Sequence, residues 1–219
     1  MAKSKRGHVV SLTKVKPKDR ANKEKLVNAI HSAIKEFSYL YIISLENQRN
    51  SSLKDVREQL KPGRIFFGRR KLMHLALGTR AENEMDTNLH HFAKILQGER
   101  ALLCTNSPPE TILEFTASFR KEEFARCGFV ASDTIVLPEG IEAFQHLSHS
   151  LQPHLNKLGI PIVLKNGKLS MLQEWILCTN GSTLTTEQAQ LLKHLDIRMS
   201  QFKMQVVASW HQGKLKEYV

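Results

Sequence analysis

Cysteine is scarce: Cys104, Cys127 and Cys178 are the three in 219 residues. Their odd number and wide separation match neither a zinc-ligand pair nor a disulfide framework, so reduced thiols in an intracellular compartment are expected. Nowhere do about 18 apolar residues run without interruption. The opening MAKSKRGHVV has charge but no apolar segment of the kind a signal peptide needs. Both observations argue against secretion and against membrane spanning. Walker loop, dinucleotide fingerprint, nucleophile elbow and paired carboxylates are likewise missing. The nearest glycine motif, NGKL at 166–169, reads as a hairpin turn, and Glu122 and Glu123 beside Arg120 and Lys121 read as a solvated helix end. Ten histidines are present, but the closest set, His146, His149 and His154, has no Cys or acidic partner at ligand spacing, and His90 and His91 point to different sides of a helix. No enzyme, metal or cofactor is assigned.

What remains is a soluble globular pattern with a particular charge distribution. The hydrophobic share is 41% and the charged share 24%, enough aliphatic content for one good core, or for a main core plus a small inserted domain. The net charge is +11 and pI about 9.7, which favours a polyanionic partner. Residues 1–25 carry nine Lys or Arg against Asp19 and Glu24, and residues 54–80 carry eight against Asp55 and Glu58. From residue 81 onward 13 basic groups face 15 acidic ones, so the second half offers no polyanion-binding surface by charge.

The chain begins as an extended basic arm to about Arg20, broken by Pro17. Leu26, Ile30, Ala33, Ile34 and Phe37 then recur at helical spacing. YLYIISL at 39–45 is apolar on both alternating faces and predicts a central strand covered by helices on either side. A polar loop at 46–50 precedes a helix that Ser51 or Ser52 can cap, with Leu53, Val56 and Leu60 on one face. After Pro62 and Gly63 come a short strand RIFF, the basic turn GRRK, and a helix LMHLAL ending at Gly78. Residues 81–97 read as helix, ALLCT as a buried strand, and Pro108 and Pro109 as the start of a further helix. Periodicity fades at 120–128. There follow IVLPEG, an amphipathic HSLQPHLNKLG, a hairpin turning at Asn166 and Gly167, and WILCT. Helix EQAQLLKHL, capped by Thr185 or Thr186, and strand FKMQVVASW resume the first pattern. The expected division is a 1–20 arm, a discontinuous α/β domain at 21–120 plus 183–212, an inserted domain at 121–182, and a 213–219 tail.

Basic residues on a flexible arm release counterions from phosphates, and an Arg-rich turn at a helix N-terminus adds outward N–H groups. Arg69, Arg70 and Lys71 could each take a phosphate. Residues 47–50 could reach base edges or ribose hydroxyls, which irregular RNA exposes. A solvated face or a localisation signal explains KSKR at 3–6 equally well, but not GRRK, which a strand fixes in place.

KSKRGHVVSLTKVK, RNSSLKDVREQL, RIFFGRRKLMHLALG, ERALLCTN, LGIPIVLKNGKLSML and LTTEQAQLLKHL together resemble the mRNA turnover protein 4 family, over essentially the whole chain. This resemblance implies a ribosome-assembly factor similar to the large-subunit stalk-base protein. The implied fold is α/β, a mixed β-sheet packed with helices as in the ribosomal stalk-base rRNA-binding domain, interrupted by a small α+β inserted domain. The implied job is that of a temporary placeholder, a monomer on the pre-60S particle. It would contact particle proteins and precursor rRNA at the GTPase-associated centre, and be displaced with help from a phosphatase-like release factor. Nucleolus and nucleus, with shuttling to the cytoplasm, are the implied locations. The RNA-contacting residues carried over are Lys3, Lys5, Arg6, Lys14 and Lys18 of the arm, Asn47, Arg49, Asn50 and Ser51 of the loop, and Gly68, Arg69, Arg70 and Lys71 of the turn. The stalk-base protein commonly reads GKNT at that turn; here Arg70 and Lys71 replace the Asn and Thr. It also continues into stalk-binding helices and an acidic tail, whereas this sequence runs to GKLKEYV soon after Trp210. A shortened structural stalk-base protein and an RNA-processing enzyme are the alternatives.

Overall fold

Leu26, Ile30, Ala33 and Phe37 lie on one stripe of α1 (Arg20–Glu36), the first element of the computed structural model, which describes residues 20–218 apart from His146. β1 (Tyr39–Glu46) follows, then α2 (Asn50–Gln59), β2 (Arg64–Phe66), α3 (Arg70–Leu77), α4 (Leu89–Ile95), β3 (Arg100–Thr105), α5 (Pro109–Ser118) and β4 (Lys121–Glu123). An inserted unit then contributes β5 (Ile135–Leu137), α6 (Gln152–Lys157), β6 (Ile162–Lys165), β7 (Lys168–Met171), β8 (Trp175–Cys178) and α7 (Thr186–His194). β9 (Ser200–His211) and β10 (Lys214–Glu217) complete the chain.

The main sheet has the order β10-β9-β1-β3-β2, with β4 joining along β9. β1 is central, as its two-faced apolar pattern requires. Leu40 and Ile42 enter one core with Ile30, Met73, Leu77 and Phe92 from α1, α3 and α4. Tyr41, Ile43 and Leu45 enter another with Leu53 and Val56 of α2 and Ile112 of α5. Successive strand residues point to opposite faces, so this single strand belongs to two cores. The α/β fold with an inserted unit is the one expected, although every pairing in the main sheet is antiparallel. The sheet is therefore antiparallel rather than mixed, because β1 and β3 are joined by a path that returns β3 against β1's direction.

β9 does not keep one alternation. A bulge pairs Ile42 with Ala208 but Ile43 with Val206, leaving Val207 as the extra residue. Phe202, Met204 and Val206 consequently face the α2–α5 side while Ala208 and Trp210 face the α1–α3 side. One inserted residue exchanges the two parities.

Three further stretches differ from expectation. Between 81 and 97 only Leu89–Ile95 is α-helix, preceded by a single 3-10 turn at Ala81–Asn83. Asn88 takes a left-handed φ of +66°, and the Glu84 carboxylate accepts from the backbone N–H groups of Asn88 (3.3 Å) and His90 (3.1 Å). Those bonds start the helix afresh instead of letting an earlier one continue. Lys121–Glu123 is a strand, paired Lys121 to Phe202 and Glu123 to Ser200. The stretch expected as a tail folds back as β10 along β9.

The inserted unit has its own core around Phe144, Leu155, Leu169, Leu177, Leu191 and Leu192. Its β6–β7 hairpin turns at Asn166 (φ +50°) and Gly167 (φ +76°), the two left-handed positions of a type I′ turn. α7 has the anticipated cap: Thr185 Oγ1 accepts from Gln188 N while Gln188 Oε1 accepts from Thr185 N, a capping box. Its buried face points into the inserted unit's core. No helix among the described residues is long and apolar enough to cross a membrane.

Candidate nucleic-acid interface

β1 hands the chain to the loop 47–50 at the edge of the sheet, and the loop is held by three separate anchors. Asn47, at φ +52°, donates through Nδ2 to Gln201 O of β9 (2.9 Å). Arg49 donates through Nη2 to Phe124 O (2.8 Å) and lies 4.0 Å from the Glu123 carboxylate. Arg126 donates to Gln48 O (2.9 Å). The last two anchors come from the root of the inserted unit. Glu123 also accepts from the Ser52 hydroxyl (2.6 Å), so Ser52, fully buried, braces the root and does not cap the helix. The N-cap position of α2 is Arg49, without a side-chain cap.

Arg49 is therefore engaged with the protein itself, while Asn50 and Ser51, opening α2, are exposed. Lys121 reinforces the root through Asp55 (2.6 Å).

The basic turn sits where β2 ends. Phe66 packs into the first core, and the next residue, Phe67, turns out and is 40% exposed. A Cβ at Gly68 would meet Leu26 Cδ2 at 3.2 Å, so the turn rests directly on α1 near the point where residues 1–19 join the domain. Arg69 is the N-cap of α3, with Arg70 and Lys71 in its first turn, and all three side chains are exposed. First-turn N–H groups have no intrahelical acceptor, and the helix dipole there favours an anion. His31 Nε2 lies 3.0 Å from Ala76 O, tying α1 to the far end of α3.

Loop and turn meet. An open cleft of about 640 Å³ is lined by Asn47, Gln48, Arg49, Asn50, Phe67, Glu99 and Arg126, and Gly68–Lys71 follow immediately after its Phe67 wall. A second open cleft, about 710 Å³, continues past the turn along Arg70, Lys71, Leu75 and Lys94. Of the residues carried over, the structure gathers Asn47, Arg49 and Asn50 in the first cleft, with Ser51 at the start of α2. It sets Gly68, Arg69, Arg70 and Lys71 beside that cleft. Lys3, Lys5, Arg6, Lys14 and Lys18 lie outside the described residues. Gln48, Phe67, Glu99 and Arg126 were missed in the sequence. Phe67 alone had a local signal, the outward position in RIFF after an inward Phe66.

Elsewhere, His154 packs edge-on against His194 at 5.3 Å; burial, then His154 and Lys193, lowers the pKa of His194. Among the described residues no group of three or more His, Cys, Asp or Glu could hold a metal ion.

An antiparallel α/β domain, a helix-terminal basic turn and a unit inserted before the last long strand define a protein of the ribosomal L10 type. Residues 18–121 match the family model of ribosomal protein L10, and residues 125–197 match that of the insertion domain in its 60S ribosomal counterpart. The chain is 36% identical to ribosome assembly factor mrt4 of Dictyostelium discoideum, over 98% of this chain and 95% of that protein. It is 31% identical to ribosome assembly factor MRT4 of Saccharomyces cerevisiae, over 95% and 93%. Large ribosomal subunit protein uL10 of Thermococcus sibiricus is more distant, 23% identical over 87% of this chain and 56% of its own length. The chain belongs to the mrt4 family of ribosome assembly factors.

Proposed function

We propose that the protein acts in large-subunit ribosome biogenesis by occupying the stalk-base site of precursor rRNA, at the GTPase-associated centre, until the stalk-base ribosomal protein replaces it. The observation that carries this reading is the meeting of the loop at 47–51 and the turn at 68–71 around one cleft. The exposed cations Arg69, Arg70 and Lys71 project where a helix N-terminus also favours phosphate. Membership of the mrt4 family supports the assembly role, and likeness to uL10 supports the stalk-base target.

On this reading the arm residues Lys3, Lys5, Arg6, Lys14 and Lys18 add further phosphate contacts. Arg49 acts by holding the loop in shape through Glu123 and Phe124. The protein is a monomer within the pre-60S particle, in nucleolus and nucleus, contacts particle proteins, and leaves with the aid of a phosphatase-like release factor. Chemistry on the RNA is not part of its role. The inserted unit takes in α7, whose Leu191 and Leu192 are buried in its core, and so runs from about 124 to 199.

Crosslinking to cellular RNA tests the proposal. Reads are expected at the stalk-base region of nuclear precursor rRNA. Reads confined to mature cytoplasmic subunits would overturn the placeholder role.

A further inference from the structure

The cleft between the loop and Phe67 has features that phosphate binding alone leaves unused. Phosphate recognition needs exposed donors, and these stand on the turn. Inside the cleft, by contrast, the donors are already engaged: Asn47 Nδ2 with Gln201 O, Arg49 Nη2 with Phe124 O, and Arg126 Nη2 with Gln48 O. The bond to Gln201 O also fixes the orientation of the Asn47 amide, leaving its Oδ1 as an acceptor. Gln48 Oε1 is buried with no hydrogen-bond partner among the described residues. An amide oxygen in that state is destabilising, and swinging it into the cleft breaks no hydrogen bond of its own. Glu99 adds a carboxylate at the same wall. The cleft thus presents acceptors, beside an aromatic ring that is 40% exposed.

We infer that the cleft takes one unpaired nucleobase, stacked on Phe67, whose edge donates hydrogen bonds to Gln48 Oε1, Asn47 Oδ1 and the Glu99 carboxylate, with guanine preferred. Every base has a face that stacks on an aromatic side chain. The edge decides among them. Guanine presents adjacent N1–H and N2–H donors that one carboxylate can accept together, whereas uracil presents a single N–H between two carbonyls and adenine a single amino group beside an acceptor nitrogen. The volume of about 640 Å³ is within the usual range for a small-molecule site. Arg126, exposed at the rim, is placed for the phosphate that flanks an extruded nucleotide. The inference rests on the proposed RNA interface and adds to it a reading of base identity.

The test uses the full chain and RNA stems carrying one bulged nucleotide, G, A, C or U, alongside the same stem fully paired, with affinities from fluorescence anisotropy. The wild type is expected to favour the bulged-G stem over the paired stem by about tenfold, the size of one stacked base. Phe67→Ala should erase that ratio, Phe67→Tyr should keep it, and Glu99→Gln should reduce the preference for G over A. Because Phe67 is exposed, the variants should melt with the wild type, and this is checked in parallel. A ratio near one in the wild type, or one unmoved by Phe67→Ala, overturns the inference. If Arg69→Ala with Arg70→Ala weakens all stems while Phe67→Ala changes none, the base site fails and the phosphate interface stands. Absence of binding to any stem refutes both.

Discussion

Replacing Arg69 and Arg70 together by Ala separates charge from fold. Both side chains are exposed, and neither is joined to an acid in the ion pairs of the described residues, so stability should change by no more than about 0.5 kcal/mol. Binding should change far more. A solvent-exposed Arg–phosphate contact contributes on the order of 1 kcal/mol at physiological salt, so two give about 2 kcal/mol, or roughly thirtyfold in Kd. The salt dependence carries the decisive number. Each neutralised phosphate adds about 0.7 to 0.9 to the slope of log affinity against log salt, so the double variant should flatten it by about 1.4 to 1.8. Anisotropy titrations of a stalk-base precursor rRNA fragment over a range of salt measure both quantities. A weaker Kd with an unchanged slope would show that these residues support structure or contact bases and do not touch phosphate, and the argument from the turn would fail.

Other consequences follow from packing and titration. Leu191→Ala, at a site with no exposure, should destabilise by about 2–5 kcal/mol, and hydrogen exchange should show the loss in residues 125–199 before the main sheet; uniform loss would detach α7 from the inserted core. Of the three thiols, Cys127 is exposed while Cys104 and Cys178 are buried, and burial pushes the Cys104 thiol up to about 12. A thiol reagent should therefore label one site in the native protein and three after denaturation. The His90 ring and backbone hydrogen bonds hold the Glu84 carboxyl below its ordinary value of 4.5. A lowered folded pKa gives stability that is present above 4.5 and lost as pH falls through the folded value. Glu84→Gln should therefore flatten the acid limb of a plot of Tm against pH, and an unaltered limb would refute the role of the carboxylate.

The central strand was legible because burial on both faces leaves a mark that few other placements leave: Leu40 to Leu45 has no polar face to show water. GRRK was legible for a similar reason, since a strand on one side and a helix on the other locate a turn. α7 shows the limit. Its amphipathic stripe says that a core lies on one side, and nothing in the nine residues says which of two cores it is. β4 had no pattern to read, because KEE carries no apolar alternation and its partner is 78 residues away at Ser200 to Phe202. Arg49 looked like a free cation because its partners, Glu123 and Phe124, are distant in sequence. Local spacing finds faces; it does not find what meets them.

The position of β9 has a bearing on how the protein is made. β1 needs β9 along one whole edge, yet β9 begins 95 residues after β3 ends. At about 5–20 residues per second a ribosome takes roughly 5–20 s to cross that interval. Throughout it the nascent chain offers the unpaired backbone of Tyr39–Glu46, flanked by Tyr41, Ile42 and Ile43, to any other strand that comes near. The inserted unit, with a core and a capped helix of its own, lengthens that exposure, so the chain depends on nascent-chain protection in proportion to the size of its insertion.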